Sequence, residues 1–314
     1  MPPFNLPPIQ LELTTLPLAD MQVQALIINL PRPQSLISPS SLSDLHLPPN
    51  LDLTQGLVLY GQAPIWLYST LIHHYHAAPW LGCYDARSGS VIVIHSRVAS
   101  PNIGDTLKLQ PRRTACPAIL IGGPPNSGKS VFANALRRRL IAQHPQRKHY
   151  LHRASWDGEG NWVYETANAD MVDQLVRLNE FRIHEDPETA KLIPSYFKYH
   201  ASAIANLRIL VDRLLVDVGG LPQQEKEPLV QQCSHYIIIS RLPEKIDGWH
   251  RLCQPHLKPL AVIHSVLDSR LEILQTQPFL EIVAGPWLTG ETAHIRDCLL
   301  TAVESALAPS NYEA

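Results

Sequence analysis

A chain of 314 residues with a hydrophobic content of 45% can form two domains that each bury a core, and no apolar run approaches the roughly 18 residues of a membrane helix. The net charge of −2 excludes a global basic field of the kind that holds long nucleic acid, so an anionic ligand must be gripped by a local pocket. Cys83, Cys116, Cys233, Cys253 and Cys298 form no C-x-x-C pair and no basic segment precedes an apolar block at the N-terminus, which together predict reduced thiols, no zinc site and a cytoplasmic protein.

In chain order, Leu11 to Leu16 and Val23 to Leu30 read as strands with partly alternating apolar residues. Ser35 to Asn50 is a serine- and proline-rich connection, and ten of the 28 prolines fall before Asn50. Gly56 to Tyr60 is a short apolar strand. Pro64 opens a helix over Ile65 to Tyr75, and Pro79 ends it. Trp80 to Asp85 and Val91 to Ile94 read as a strand pair joined by a hairpin-type loop, Ala86 to Ser90, and Thr106 to Leu109 closes the sheet. This is a small α/β sandwich, a ferredoxin-like variant. Its first 110 residues carry only six acidic and four basic side chains. So little charge predicts that it buries surface against another copy, as a homo-oligomer.

A linker near Pro111-Arg112-Arg113 separates residues 1–112 from residues 113–314. Strands then alternate with helices: the Ala118 strand, the Ser130 helix, His149 to Ala154, a mostly helical insert to about Ile209, Leu214 to Val216, Tyr236 to Ile239, Leu260 to Ile263 and Leu280 to Ala284. That alternation predicts a parallel sheet with helices on both faces.

The first strand of this half runs into Gly123-Pro124-Pro125-Asn126-Ser127-Gly128-Lys129-Ser130, which fits G-x-x-x-x-G-K-[ST] between a strand and a helix. Such a loop captures anions. Backbone amides close around phosphate oxygens, the helix N-terminus adds partial positive charge, Lys129 neutralises the β- and γ-phosphates, and Ser130 offers a hydroxyl to Mg2+. Asp217, at the end of the apolar run Leu214-Leu215-Val216, is the expected second Mg2+ ligand, and Gly219 and Gly220 let a backbone amide approach the γ-phosphate. An aspartate capping an apolar strand is common by itself; the loop about 90 residues upstream gives it meaning. No glutamate follows Asp217 and no guanine signature is present, so ATP is expected on frequency alone and vigorous hydrolysis is not.

Two further sets carry polar chemistry. Arg153-Ala154-Ser155-Trp156-Asp157-Gly158-Glu159-Gly160-Asn161-Trp162 follows a strand and reads equally as an acceptor pocket or as a surface loop with packed tryptophans. His73, His74 and His76 stand near a helix end, and Asp85 and Arg87 stand two apart at a strand end. Histidine can move a proton, aspartate can bind a metal or orient a nucleophile, and arginine can hold a phosphate bidentately. On spacing alone, a solvated helix end beside an Asp–Arg turn is the plainer reading.

Gly61-Gln62-Ala63-Pro64-Ile65-Trp66-Leu67, followed by Pro79-Trp80-Leu81-Gly82-Cys83-Tyr84-Asp85-Ala86-Arg87, resembles the small CRISPR-associated ring nuclease of type III systems, in the form fused to a C-terminal AAA-type, kinase-like P-loop domain. The loop at Gly123 to Ser130, the Asp157 to Trp162 segment and Asp217 to Gly220 resemble that fused partner. The resemblance implies Mn2+-dependent degradation of cyclic tetra-adenylate, which switches off antiviral signalling. It also implies dimers stacked as a tetramer around the messenger. It places Asp85 (also a metal ligand) and Arg87 on the family's motif, with His76 as the catalytic histidine and His73 and His74 as alternatives. Ala86 stands where the family has proline. Two other activities stay open: a Mn2+-dependent exonuclease acting on RNA 3′ adenylate tails, and a messenger sensor whose work is done by a P-loop phosphotransferase or switch.

Overall fold

The computed structural model describes residues 9–18, 21–29, 37–61, 63–86, 88–110, 114–154, 190–287 and 295–307. The chain divides into two units, Met1–Thr114 and Ala115–Ala314.

In unit 1, β1 (Gln10–Leu18), β2 (Met21–Asn29), β3 (Leu57–Gly61), β4 (Trp80–Asp85), β5 (Ser90–Ser96) and β6 (Thr106–Lys108) form one sheet in chain order. β2, β3 and β4 are parallel, while the remaining pairs are antiparallel. The α/β expectation holds. The strand order corrects the ferredoxin-like detail, because that arrangement interleaves its strands. Here short hairpins join β1 to β2 and β4 to β5, and each places the new strand beside the last.

β3 and β4 are linked by α1 (Ile65–His74), whose buried Leu67 and Leu71 pack on Leu26, Ile28, Leu57, Leu59 and Leu81. Pro64 sits at the N-cap with φ −65°, so proline starts the helix where its missing N–H costs nothing. A crossover helix runs back along the strands it links. The start of α1 therefore lies at the C-terminal ends of β3 and β4, and its histidine-bearing end lies at the opposite edge.

Unit 2 holds a seven-stranded sheet in the order β12-β13-β11-β10-β7-β9-β8. Its strands are β7 (Ala118–Gly122), β8 (His149–Ala154), β9 (Arg213–Val218), β10 (His235–Ser240), β11 (Lys258–Ser265), β12 (Arg270–Gln275) and β13 (Leu280–Gly285). All pairings are parallel except β12 with β13. β7 and β9 are buried at every residue, the mark of strands covered on both faces. On one face α2 (Lys129–Gln143) and α6 (Asp297–Leu307) bring Phe132, Leu136, Leu299 and Val303 onto Ile119, Ile121, Ile237, Ile263 and Ile282. On the other lie α3 (Ile193–Arg208) and, after the short α4 (Glu227–Val230), α5 (Ile246–Cys253) with its buried Trp249. The strands read from the sequence are all present; α5, α6 and the antiparallel β12 were not anticipated. The AAA-type detail is corrected: that arrangement sets another strand between the loop strand and the acidic strand, whereas β7 and β9 pair directly, Ile121 level with Asp217.

Two partly buried polar contacts tie helices of unit 2 to its strands. Arg213 Nη1 and Nη2 donate to the two carboxylate oxygens of Glu304 at 2.6 Å each, tying α6 to the start of β9. His152 Nε2 and His200 Nδ1 lie 2.8 Å apart between β8 and α3. Burial, with His200 adding to it, pushes His152 down to about 3. In the unfolded chain histidine titrates near its ordinary value, about 6.5. The folded value is depressed, so this contribution to stability is complete above about pH 6.5 and is lost as pH falls toward 3. Thermal unfolding from pH 7.5 to 4.5 is expected to show a falling midpoint below pH 6.5, with a shallower fall in His152→Gln. Equal slopes for the two chains would contradict the assignment.

Candidate functional site

The strongest candidate site grows from the turn between β7 and α2. β7 ends in the interior of the sheet, between β10 and β9, at the carboxyl end of its parallel neighbours, where open α/β sheets bind ligands. Gly123 has φ 152° and Gly128 has φ 81°. A Cβ on Gly123 would collide with the Ile239 carbonyl, and one on Gly128 with Trp287. Both glycines are therefore required by close neighbours, Ile239 of β10 and Trp287 just beyond β13, as well as by the turn. Asn126 takes the left-handed region at φ 58°, which asparagine tolerates.

Pro125 and Asn126 are exposed at the tip, while Gly123, Pro124, Ser127 and Lys129 are buried and Gly128 and Ser130 half-buried. Lys129 Nζ donates to the Pro124 carbonyl at 2.9 Å, so the cation is folded back across its own loop. Ser127 Oγ is buried without a hydrogen-bond partner. Trp287 meets Phe132 edge-on at 5.3 Å and donates from Nε1 to the Ala284 carbonyl, holding the start of α2 against the end of β13.

Asp217 lies one strand away and is 2% exposed, with neither carboxylate oxygen hydrogen-bonded. Arg153, opposite it in the β8–β9 register, brings Nε to 3.5 Å from Oδ2. A buried carboxylate lacking hydrogen bonds is costly unless a cation compensates it. The two orphaned oxygens beside a phosphate loop fit a divalent cation, so Asp217 and the Ser130 hydroxyl are the residues that would hold Mg2+. When bound, that ion would neutralise phosphate charge. Arg153 stood in the sequence where a strand end runs into a polar segment; only strand register pairs it with Asp217. Because Arg153 and a metal compete for one carboxylate, Arg153→Met is expected to lower the Mg2+ concentration needed for nucleotide binding by about tenfold. Titrations of a fluorescent ATP analogue against Mg2+ check this. An unchanged Mg2+ requirement would make Arg153 a structural brace only.

The unit 1 candidates do not form one cluster. His73, His74 and His76 are exposed around the end of α1. His76 Nδ1 donates to the His73 carbonyl at 2.6 Å, and their rings stack at 5.9 Å. His95 of β5 donates to the His76 carbonyl at 3.1 Å, and Arg97 donates to the Ala77 carbonyl at 3.4 Å. Asp85 is the last residue of β4, paired with Ser90, beyond the edge-on Tyr60–Tyr84 contact. His76 precedes the first residue of β4. The two therefore belong to opposite ends of a strand roughly 17 Å long. Among the described residues no group of three or more His, Cys, Asp or Glu could hold a metal ion. The described residues of one copy thus offer no such cluster for the expected Mn2+. Arg87 and the segment Ser155 to Trp162 lie outside the described residues.

Strand order and loop geometry define unit 2 as an α/β P-loop domain, preceded by a small α/β unit of mixed sheet. Residues 30–108 match the family model described as CRISPR-associated protein (Cas_csx3), a stretch that contains His76, Asp85 and Arg87. An uncharacterized protein of Aquifex aeolicus (strain VF5) is 42% identical over 52 residues, 17% of this chain. The match spans 47% of that relative, so the chain covers about half its length. The crystal structure of a ParA family ATPase from Chlorobium tepidum TLS aligns over 62% of this chain and 95% of its own, at 13% identity and a TM-score of 0.38. No helix among the described residues is long and apolar enough to cross a membrane.

Proposed function

We propose that unit 1 degrades cyclic tetra-adenylate by phosphodiester cleavage, and that unit 2 binds ATP with Mg2+ and regulates or assembles it. The observation that carries this reading is the Cas_csx3 match over residues 30–108, which spans every unit 1 candidate. Unit 2 enters through the phosphate loop and the orphaned carboxylate of Asp217.

The separation of His76 from Asp85 shapes the proposal. A site that uses both must draw them from different copies, the histidine end of one unit 1 facing the Asp85 end of the next. Such stacking accords with the low charge of unit 1 and with a dimer or tetramer. Within that site His76 moves a proton at the scissile phosphodiester, Asp85 orients the attacking group, and Arg87 holds the phosphate. No step is assigned to Mn2+, since the described residues of one copy offer no cluster for it.

Incubating the whole chain with cyclic tetra-adenylate, with and without Mn2+ and Mg2+–ATP, and sizing the products tests the reading. Linear adenylates shorter than the ring are expected. An intact ring beside shortened linear adenylate tails would instead favour a 3′ exonuclease. An intact ring with phosphate transferred from ATP would favour a sensor–phosphotransferase.

A further inference from the structure

β12 is the outer strand of the unit 2 sheet, paired with β13 on one side and with no strand on the other among the described residues. Leu271, Ile273 and Leu274 are 42%, 49% and 48% exposed along it, and Leu267 before it is 54% exposed. An unpaired edge carrying large apolar side chains is a template for another strand, and soluble proteins blunt or cover such edges.

The ladder fixes which groups this edge offers. The Ala284 carbonyl accepts from Val266 N at 3.2 Å, so the polar backbone groups of Ala284 face β11. Its partner across the antiparallel ladder, Leu271, therefore turns its own N–H and C=O away from β13, toward the open edge. Ile273, opposite Ile282, does the same, while Arg270 and Glu272 turn theirs inward.

We propose that a second copy of this chain pairs on this edge, β12 against β12, antiparallel about a two-fold axis through Leu271. Three registers around the middle of the strand satisfy the outward-facing groups, and charge selects among them. Centring on Arg270 stacks that arginine on its own copy. Centring on Glu272 stacks two carboxylates. Like charges directly opposite are destabilising. Centring on Leu271 sets Arg270 of each copy opposite Glu272 of the other, and Leu271 against Leu271. Arg270 and Glu272 already form an ion pair within one chain, so the two-fold alternates four charges on one face and leaves the apolar pair on the other. The interface is isologous and closes. It joins two seven-stranded sheets into one and requires nothing of the unit 1 chemistry.

Disulfide trapping with the full-length chain tests the register. In it Arg270 and Glu272 face each other as a non-hydrogen-bonded pair, the closer kind, with Cβ atoms about 4.5–5.5 Å apart. Chains carrying Arg270→Cys mixed with chains carrying Glu272→Cys should form disulfide-linked dimers under a mild oxidant, several-fold above either chain alone or the unsubstituted protein. Cross-linking no greater in the mixture than in the single chains would overturn the proposal. Leu271→Pro supplies an independent readout, because proline is tolerated where an edge N–H faces outward yet cannot donate to a partner. Sedimentation of the full chain should show self-association weakened about tenfold, the loss of the two symmetric hydrogen bonds. Unchanged association in a folded Leu271→Pro chain would likewise overturn it.

Discussion

Chains carrying His76→Ala and chains carrying Asp85→Ala will each lose about two to four decades of cyclic tetra-adenylate turnover, the usual scale for an acid–base group, and co-expressing the two will restore a readily measured part of it. The restoration is the informative half. His76 precedes β4 and Asp85 closes it, so no side-chain rotation in one copy brings them together. When copies stack end to end, a junction formed by the intact histidine of one chain and the intact aspartate of the other is complete, although neither chain is active alone. Single-turnover rates on the purified mixed assembly decide the matter. A mixture as inactive as its parents would mean that the two residues do not share a site across copies. Wild-type turnover in Asp85→Ala would move the site away from this strand end, and full activity in His76→Ala with none in His73→Ala or His74→Ala would reassign the histidine.

Lys129→Ala is expected to weaken ATP binding by about two decades or more, the scale of losing charge-assisted hydrogen bonds to two phosphates. Lys129 is 7% exposed and bonded to the Pro124 carbonyl. An ammonium has three donors, so one can stay on that carbonyl while the other two are offered to phosphate oxygens. Lys129→Ala therefore removes both the cation and the brace, and circular dichroism should confirm that the parallel sheet survives. Asp217→Asn acts differently. It keeps the size of the side chain and removes the buried charge, so nucleotide affinity should fall less while its Mg2+ dependence largely disappears. Calorimetric titration with and without Mg2+ separates the two variants. Equal affinity of Lys129→Ala and the parent for ATP would dismiss the loop as a phosphate site. The same titration repeated with cyclic tetra-adenylate present measures coupling between the units, which must be reciprocal if it exists. Identical affinities would mean two independent activities on one chain.

Much of the architecture was legible because each local signal had one physical solution. The run Ala118 to Ile121 before a glycine-rich turn and an alanine-rich segment could only be strand, loop and helix, and it is. β9 read as a buried strand because all its neighbours are apolar up to Asp217. β12 did not read as a strand, because Arg270-Leu271-Glu272-Ile273-Leu274-Gln275 carries its apolar residues on an exposed edge interrupted by a bulge, so alternation marks no core face. α5 and α6 were missed for another reason: their apolar stripes are short, and each is defined only by the sheet face it covers.

By itself, the sequence determined the α/β class, the phosphate loop with Lys129 and Ser130, the acidic strand end at Asp217, and the separate character of the first 110 residues. These depend on short-range chemistry: periodicity, glycine at fixed positions, and a charge at the end of an apolar run. Tertiary structure alone decided which strands are neighbours, and so paired Arg153 with Asp217, set β7 directly beside β9, and left β12 on the edge. It also parted His76 from Asp85. Nine positions along the chain looks like proximity, yet a helix end followed by a six-residue strand carries the chain from one edge of the sheet to the other, because an extended backbone covers roughly 3.3 Å with every residue.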